Sequence, residues 1–174
     1  FALLLAGPYV LAEGLRPLLK QAATRRGGAR VVNVLSGGLY TQKIHVEDLQ
    51  SRQGEYSGSV AYARAKRGLL IVTEEWARRW ASDGIVVNAM HPGWADTPGV
   101  ESALPEFHRV TEKVLRSPEE GADTIVWLAA ATEAGKVSGE FWLDRRPRLK
   151  HVLPGTRETP AERRRLMRAL AAYS

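Results

Sequence analysis

The fold of this chain is indicated first by the stretch Val31-Val32-Asn33-Val34-Leu35-Ser36-Gly37-Gly38. Valines favour an extended backbone and the two glycines end it, so the stretch predicts a short buried strand over Arg30–Leu35. Ser36 then lies at the carboxyl end of that strand, where open α/β sheets bind their ligands. The stretch therefore predicts a sheet with a ligand site at one of its ends.

A second pattern, Tyr62-Ala63-Arg64-Ala65-Lys66, lies in a segment that we expect to be helical over Ser59–Ala81. Residues four apart on a helix share one face, with Cβ atoms about 5–6 Å apart. A lysine charge beside a phenol favours the ionised phenolate, which makes the tyrosine a usable general acid and base. With the Ser36 hydroxyl nearby to hold a carbonyl oxygen, the pattern is typical of carbonyl reduction or alcohol oxidation with a nicotinamide cofactor.

Helical and strand patterns alternate along the rest of the chain. Two capping boxes begin at Ser117 and Thr159, each followed by proline at the first helical position, and both predict a helix. No repeat, low-complexity tract or linker divides the sequence, so we predict one α/β domain with a parallel sheet and helical crossovers. The predicted helices are Phe1–Lys20, Ser59–Ala81, Pro118–Ala131 and Pro160–Ala172, the predicted strands are Arg30–Leu35, Ile85–Met90 and Ser138–Leu143, and Gln21–Ala29 is predicted to be a loop.

Composition excludes several classes of protein. The chain has 174 residues, of which 44% are hydrophobic and 25% charged, as is usual for a soluble globular domain. No apolar run reaches the roughly 18 residues of a membrane span, and Phe1–Leu5 lacks the basic leader of a signal peptide, so we expect a cytoplasmic protein. Cysteine is absent and the four histidines have no metal-ligand spacing, so neither disulfides nor a metal site is expected.

The charge balance is basic, with a net charge of +6 and arginine outnumbering lysine 19 to 6. Such a balance attracts nucleic acid or anionic cofactors in general. The basic clusters Arg145–Arg148 and Arg163–Arg165 are not accompanied by a known nucleic-acid-binding module. We therefore predict a solvated basic surface and no nucleic-acid partner, and nucleic-acid binding remains a hypothesis that rests on charge alone.

Taken together, these patterns resemble the short-chain dehydrogenase/reductase family. That family has a strand that ends in serine, Tyr-x-x-x-Lys on a helix, and Asn-x-x-x-Pro-Gly after the following strand. The corresponding residues here are Ser36, Tyr62 with Lys66, and Asn88–Gly93, and the longer string His91–Val100 is also similar. The resemblance covers essentially the whole chain, from the helix before the serine strand to the C-terminus.

By this resemblance, Ser36 would orient and polarise the substrate carbonyl, and Tyr62 would donate or accept the proton. Lys66 would assist Tyr62 and hold the ribose of the nicotinamide cofactor, which would be NAD or NADP. The substrate would be a small carbonyl or alcohol compound, and a homo-oligomer would be consistent with the family. The resemblance further implies nicotinamide contacts from Pro92, Gly93 and Thr97, and substrate contacts from Gly37, Gly38 and Trp94.

Two departures from the family pattern bear on activity. The sequence contains no glycine-rich fingerprint for dinucleotide phosphates. We therefore expect residues 1–174 to be the catalytic and substrate portion of a Rossmann-like doubly wound sheet, with the N-terminal nucleotide-binding βαβ units missing and NAD(P) not bound tightly by this chain alone. The family's catalytic asparagine corresponds in register to Leu4, which cannot hold a proton-relay water. The alternative to an oxidoreductase is thus a non-catalytic relic or binding module.

Overall fold

Three parallel strands organise the structure, a computed structural model that describes residues 1–95 and 115–173. The strand order in the sheet is β1-β2-β3-β4. The predicted parallel pairing is confirmed for the first three strands, but β4 runs antiparallel to β3, because the chain reverses through Asp144 and Arg145, both with positive φ. The strands are β1 (Ala29–Val34), β2 (Ile85–Met90), β3 (Phe141–Leu143) and β4 (Arg146–Pro147).

The four predicted helices are present, with different ends. The predicted loop over Gln21–Ala29 is wrong in its first part, because the first helix continues to Arg26 and ends at Gly27, whose φ of 75° suits a left-handed cap. This helix follows a π-helical turn over Ala2–Ala6. The helices are α1 (Gly7–Arg26), α2 (Gly58–Arg79), α3 (Pro118–Ala130) and α4 (Pro160–Ala171).

Helices cover both faces of the sheet. Successive side chains of a strand point to opposite faces. Val87 and Ala89 belong to the main hydrophobic cluster, which they share with residues of α1, α2 and α4. Met90 and Val32 lie in a second cluster with Leu128 of α3. The layers are therefore helix, sheet and helix, as in a doubly wound α/β fold.

The N-terminal helix packs along α2 through aromatic rings and charged pairs. Tyr9 stacks on Trp76 at a ring-centroid distance of 5.6 Å, and the Trp76 indole donates a hydrogen bond of 2.8 Å to Glu13. Arg16 pairs with Asp83 at 2.7 Å. The helical run Ala2–Arg26 also has the length and composition of a membrane span, although the sequence had suggested none. Here Glu13, Arg16 and Lys20 are bonded to residues elsewhere in the domain.

The third strand is shorter than predicted, because side chains replace part of its backbone ladder. The Ser138 hydroxyl accepts a hydrogen bond of 3.0 Å from the Val87 amide. Asn88 Oδ1 accepts the Glu140 amide at 3.0 Å, and Asn88 Nδ2 donates to the Val137 carbonyl at 2.7 Å. Asn88, quoted above as part of a motif, therefore joins β2 to the segment that leads into β3.

Candidate active site

The carboxyl ends of β1, β2 and β3 meet at one edge of the sheet. The Leu35 amide donates to the Met90 carbonyl at 2.6 Å, and the His91 amide donates to the Trp142 carbonyl at 3.1 Å. The segments that follow β1 and β2 therefore begin side by side. Ser36 begins the first segment and His91 begins the second, which puts both at the ligand-binding end of the sheet.

Ser36 caps the short turn that follows β1. Its backbone is extended, and its hydroxyl oxygen accepts a hydrogen bond of 3.2 Å from the Gly38 amide as the N-cap of a short 3₁₀ turn. A Cβ atom placed on Gly38 would lie 3.6 Å from Ser36 Oγ and 3.9 Å from the Cβ of Ala63. Ala63 follows Tyr62 in the chain, so the Ser36 hydroxyl and the turn of α2 that carries the tyrosine both border Gly38.

Tyr62 and Lys66 lie on one side of α2. The Tyr62 side chain is accessible, with the residue 39% exposed. The Lys66 ammonium lies 5.6 Å from the centroid of the Tyr62 ring and donates a hydrogen bond of 2.9 Å to the Val34 carbonyl at the end of β1. Burial lowers the pKa of Lys66 from its ordinary value. Lys66 thus ties the tyrosine-bearing helix to the strand that leads to Ser36.

His91 connects the segments after β1 and β2, a role that the sequence analysis did not assign. Its Nδ1 accepts a hydrogen bond of 3.2 Å from the Gly93 amide. A Cβ on Gly37 would lie 3.8 Å from His91 Cε1, and the imidazole ring lies 5.3 Å from the Phe141 ring. Burial, with Arg116 and Arg148 as further causes, lowers the pKa of His91, which favours the neutral ring that the Gly93 bond requires.

The turn after His91 depends on glycine. Gly93 has a φ of 76°, in the left-handed region, and a Cβ there would lie 2.9 Å from Arg116 Nε. Arg116 pairs with Asp144, and its amide donates to the Trp94 carbonyl at 2.9 Å. Beside the turn is an open cleft of about 570 Å³, whose lining includes both residues of the Arg116–Asp144 pair.

Most of the predicted site residues are thus gathered at one edge of the sheet. Trp94 lies one residue beyond the turn and is 51% exposed. Thr97 lies outside the described residues. Leu4 is half-buried and packs against the main hydrophobic cluster, so it contributes apolar contacts and no hydrogen-bonding group. The predicted residues gathered after β1 and β2 and on α2 are Ser36, Gly37, Gly38, Tyr62, Lys66, Pro92 and Gly93.

Arg67, next to Lys66, is a second residue that the sequence analysis missed. It is fully buried, and it donates to the Lys150 carbonyl at 2.7 Å and to the Gln42 carbonyl at 3.4 Å. It therefore fixes the loop after Ser36 and the segment after β4 to α2. The signal in the sequence was an arginine directly before the apolar run Gly68–Val72.

Metal ligands are not grouped in this region. Within residues 1–95 and 115–173, no set of three or more His, Asp or Glu side chains is placed to hold a metal ion. The side chains predicted for the site offer proton transfer by a phenol and hydrogen bonding by a serine and a lysine. These groups suit reactions at a carbonyl or alcohol oxygen.

Comparisons with known sequences agree with this arrangement. A family profile described as enoyl-(acyl carrier protein) reductase matches residues 21–143. The human protein dehydrogenase/reductase SDR family member 12 is 41% identical over 98% of this chain. The match covers 52% of that protein, so the chain spans about half the length of the curated relatives it matches.

Solved structures show the same fold. A 3-oxoacyl-[acyl-carrier protein] reductase from Brucella melitensis is 29% identical, with a TM-score of 0.58 over 79% of this chain and 47% of that one. A structure described as an NAD(P)-dependent gluconate 5-dehydrogenase from Beutenbergia cavernae, with NADP bound at low occupancy, is 25% identical. It has a TM-score of 0.54 over 77% of this chain and 49% of that one.

Proposed function

Because this chain belongs to the short-chain dehydrogenase/reductase family, we propose that it interconverts a carbonyl and an alcohol by NAD(P)-dependent hydride transfer. The observation that carries the proposal is the position of Tyr62 and Lys66 on one side of α2, with Lys66 bonded to Val34 at the end of β1. That bond ties the helix that carries the acid/base pair to the strand that leads to Ser36, which supports a shared site at the end of the sheet where a substrate oxygen would lie.

Each of the three side chains has a distinct role in the proposed reaction. In reduction, Tyr62 donates its phenolic proton to the carbonyl oxygen, and in oxidation it takes the proton back from the alcohol. The Ser36 hydroxyl donates a hydrogen bond to the same oxygen and so stabilises the charge that develops there. The Lys66 ammonium, 5.6 Å from the centroid of the Tyr62 ring, holds the tyrosine-bearing turn of α2 against β1 through its bond to the Val34 carbonyl. The cofactor, when bound, supplies or accepts the hydride.

The described residues fit the nicotinamide end of the cofactor. An ammonium group has three N–H donors, and the Val34 carbonyl uses one, so Lys66 retains two for ribose hydroxyls. The turn at Pro92 and Gly93 follows β2 at the same end of the sheet, and Gly93 has no side chain there. The phosphate end of the cofactor has no such match, because the sequence has no glycine-rich fingerprint. We therefore do not propose that this stretch of chain binds the phosphates by itself.

A pair of tyrosine variants tests the proposal in the natural full-length protein. Tyr62→Phe removes the hydroxyl and should lower kcat for carbonyl reduction by about 10²–10⁴-fold, as for loss of a general acid. Tyr56→Phe is the matched control, because Tyr56 is 70% exposed and precedes α2, and it should leave kcat unchanged. The measurement is NAD(P)H oxidation with a panel of aldehydes and ketones.

A non-catalytic relic or binding module is the alternative, and it rests on Leu4 in place of asparagine. No turnover of any carbonyl by the wild-type full-length protein would favour it over the proposed reaction, whereas full activity of Tyr62→Phe would contradict the role proposed for Tyr62. The family membership of the chain does not favour it.

A further inference from the structure

A basic cleft lies between the C-terminal half of α2 and α4. Its volume is about 590 Å³. The proposed active site is elsewhere, because Lys66 and Arg78 are about 18 Å apart along the axis of α2 at 1.5 Å per residue. Five arginines line the cleft, namely Arg78, Arg79, Arg163, Arg164 and Arg168.

The cleft carries more positive charge than its carboxylates balance. One glutamate, Glu75, is the only acidic residue among its lining residues. Three of the guanidinium groups each have a carboxylate partner, namely Arg78 with Glu75, Arg79 with Glu13, and Arg163 with Glu74.

Arg164 and Arg168 differ from the other three. Neither side chain has a hydrogen bond or an ion pair with another residue in the part of the chain that the structure describes. They are four residues apart on α4, so they lie on one face of the helix and repel each other. Each guanidinium presents five N–H donors in a planar fork that matches two oxygens of a phosphate. An anion between them would bind both forks and remove the repulsion.

The volume of the cleft limits the size of the anion that it can hold. Its volume is within the range of sites for small molecules, about 300–1,000 Å³. Met167 and Pro160 add apolar surface beside the arginines. We propose that the cleft binds a compact phosphate-bearing small molecule with at least two negative charges, held by Arg164 and Arg168 on one wall and Arg78 on the other. This site is independent of the proposed oxidoreductase activity.

Calorimetric titration of the chain with inorganic pyrophosphate tests this proposal. The double variant Arg164→Gln/Arg168→Gln should bind pyrophosphate at least about tenfold more weakly than the wild type, because it loses both guanidinium groups that have no carboxylate partner. The matched control is Arg25→Gln/Arg26→Gln, which removes the same charge from the exposed end of α1 and should stay within about twofold. Thermal unfolding of each variant, together with the single variant Arg164→Gln, separates lost binding from lost folding.

Three results would overturn the proposal. The first is the absence of pyrophosphate binding to the wild type at about 50 mM NaCl, where screening is modest. The second is an equal loss in both double variants, which would show diffuse attraction to net charge. The third is binding of a single-stranded oligonucleotide that needs Arg164 and Arg168 while pyrophosphate does not bind, which would identify a nucleic-acid surface. None of these measurements depends on turnover, so their outcome leaves the test of Tyr62 unaffected.

Discussion

His91 illustrates how one side chain couples two segments at the proposed site. It accepts the Gly93 amide, and its ring contacts both Gly37 and Phe141. Only the neutral ring has a lone pair on Nδ1 for the Gly93 bond. The shape of the turn beside the proposed nicotinamide position therefore depends on the protonation state of a residue that takes no part in the proposed proton transfer.

A pH dependence of stability follows from His91. Its pKa in the folded protein is below the ordinary value of 6.5, so between the two values the unfolded chain binds more protons. The free energy of unfolding should thus fall as pH drops below about 6.5, with a slope of at most about 1.4 kcal/mol per pH unit from this group. Denaturant unfolding between pH 5 and about 7.5 measures the slope.

Two histidine variants test whether His91 causes the pH dependence of the free energy of unfolding. His91→Asn retains an acceptor for the Gly93 amide without a titrating group, so it should reduce the slope. His45→Asn is the matched control, because His45 is exposed. His151, whose pKa is also lowered by burial, contributes to the slope in the same range. An unchanged slope in His91→Asn would contradict the assignment.

At the scale of the element, a capping box and an ion pair hold the N-terminus of α4. The Thr159 hydroxyl accepts the Glu162 amide at 3.2 Å, and a Glu162 carboxylate oxygen accepts the Thr159 amide at 2.7 Å. Lys43 lies 2.8 Å from the other oxygen of Glu162. The Lys43 hydrogen bond, with the Thr159 amide next, lowers the pKa of Glu162 to about 2. The charged carboxylate therefore fixes both the start of α4 and its contact with the loop after Ser36.

Removal of that carboxylate should weaken α4. Glu162→Ala should lower the free energy of unfolding at neutral pH by about 1 kcal/mol, which is the usual loss of a cap. Since the folded pKa is depressed, the contribution is present above pH 4.5 and is lost as pH falls towards 2, so wild type and variant should converge there. Glu55→Ala, in the exposed segment before α2, should have no such effect; equal stability of the Glu162 variant and the wild type at pH 7 would refute the prediction.

Local sequence was enough to predict some elements and not others. The bounds of β2 agree with the prediction, because Gly84 and Pro92 delimit a run that is apolar except for Asn88 and His91. The end of α1 was missed, since its polar last turns carry no breaker before Gly27. His91 and Arg67 were missed for a different reason. Their partners, such as Lys150 for Arg67, are far away in the sequence, and local patterns do not contain that information.

At the scale of the whole molecule, β1 is an edge strand of the described sheet, with β2 on one side only. An uncovered valine-rich edge can pair with another chain. The exposed apolar residues of the helical run Ala2–Arg26, among them Leu3, Leu11 and Leu18, add to the accessible apolar surface. Both features favour self-association of the isolated 174-residue chain, which sedimentation over a range of concentrations would detect.

Cofactor affinity is the other property of the whole molecule that the structure lets us predict. The isolated chain should bind NADPH with a Kd weaker than about 10 μM, because tighter binding would need about 7 kcal/mol from the nicotinamide end alone. Calorimetry measures this directly, and Lys66→Met should abolish whatever weak binding remains. A Kd below that limit for the wild-type chain would show that residues outside the proposed nicotinamide site hold the phosphates.

The parallel pairing of the strands also has a consequence during synthesis. Ala29 pairs with Ile85, and Ala89 pairs with Phe141. The partner of each strand is therefore synthesised about 50 residues after the strand itself. At translation rates of about 5–20 residues per second, β1 leaves the ribosome roughly 3–10 s before β2 does. During that interval β1 lacks β2 as its neighbour in the sheet. The nascent chain therefore passes through a period in which the valines of β1 are open to chaperones and to other chains.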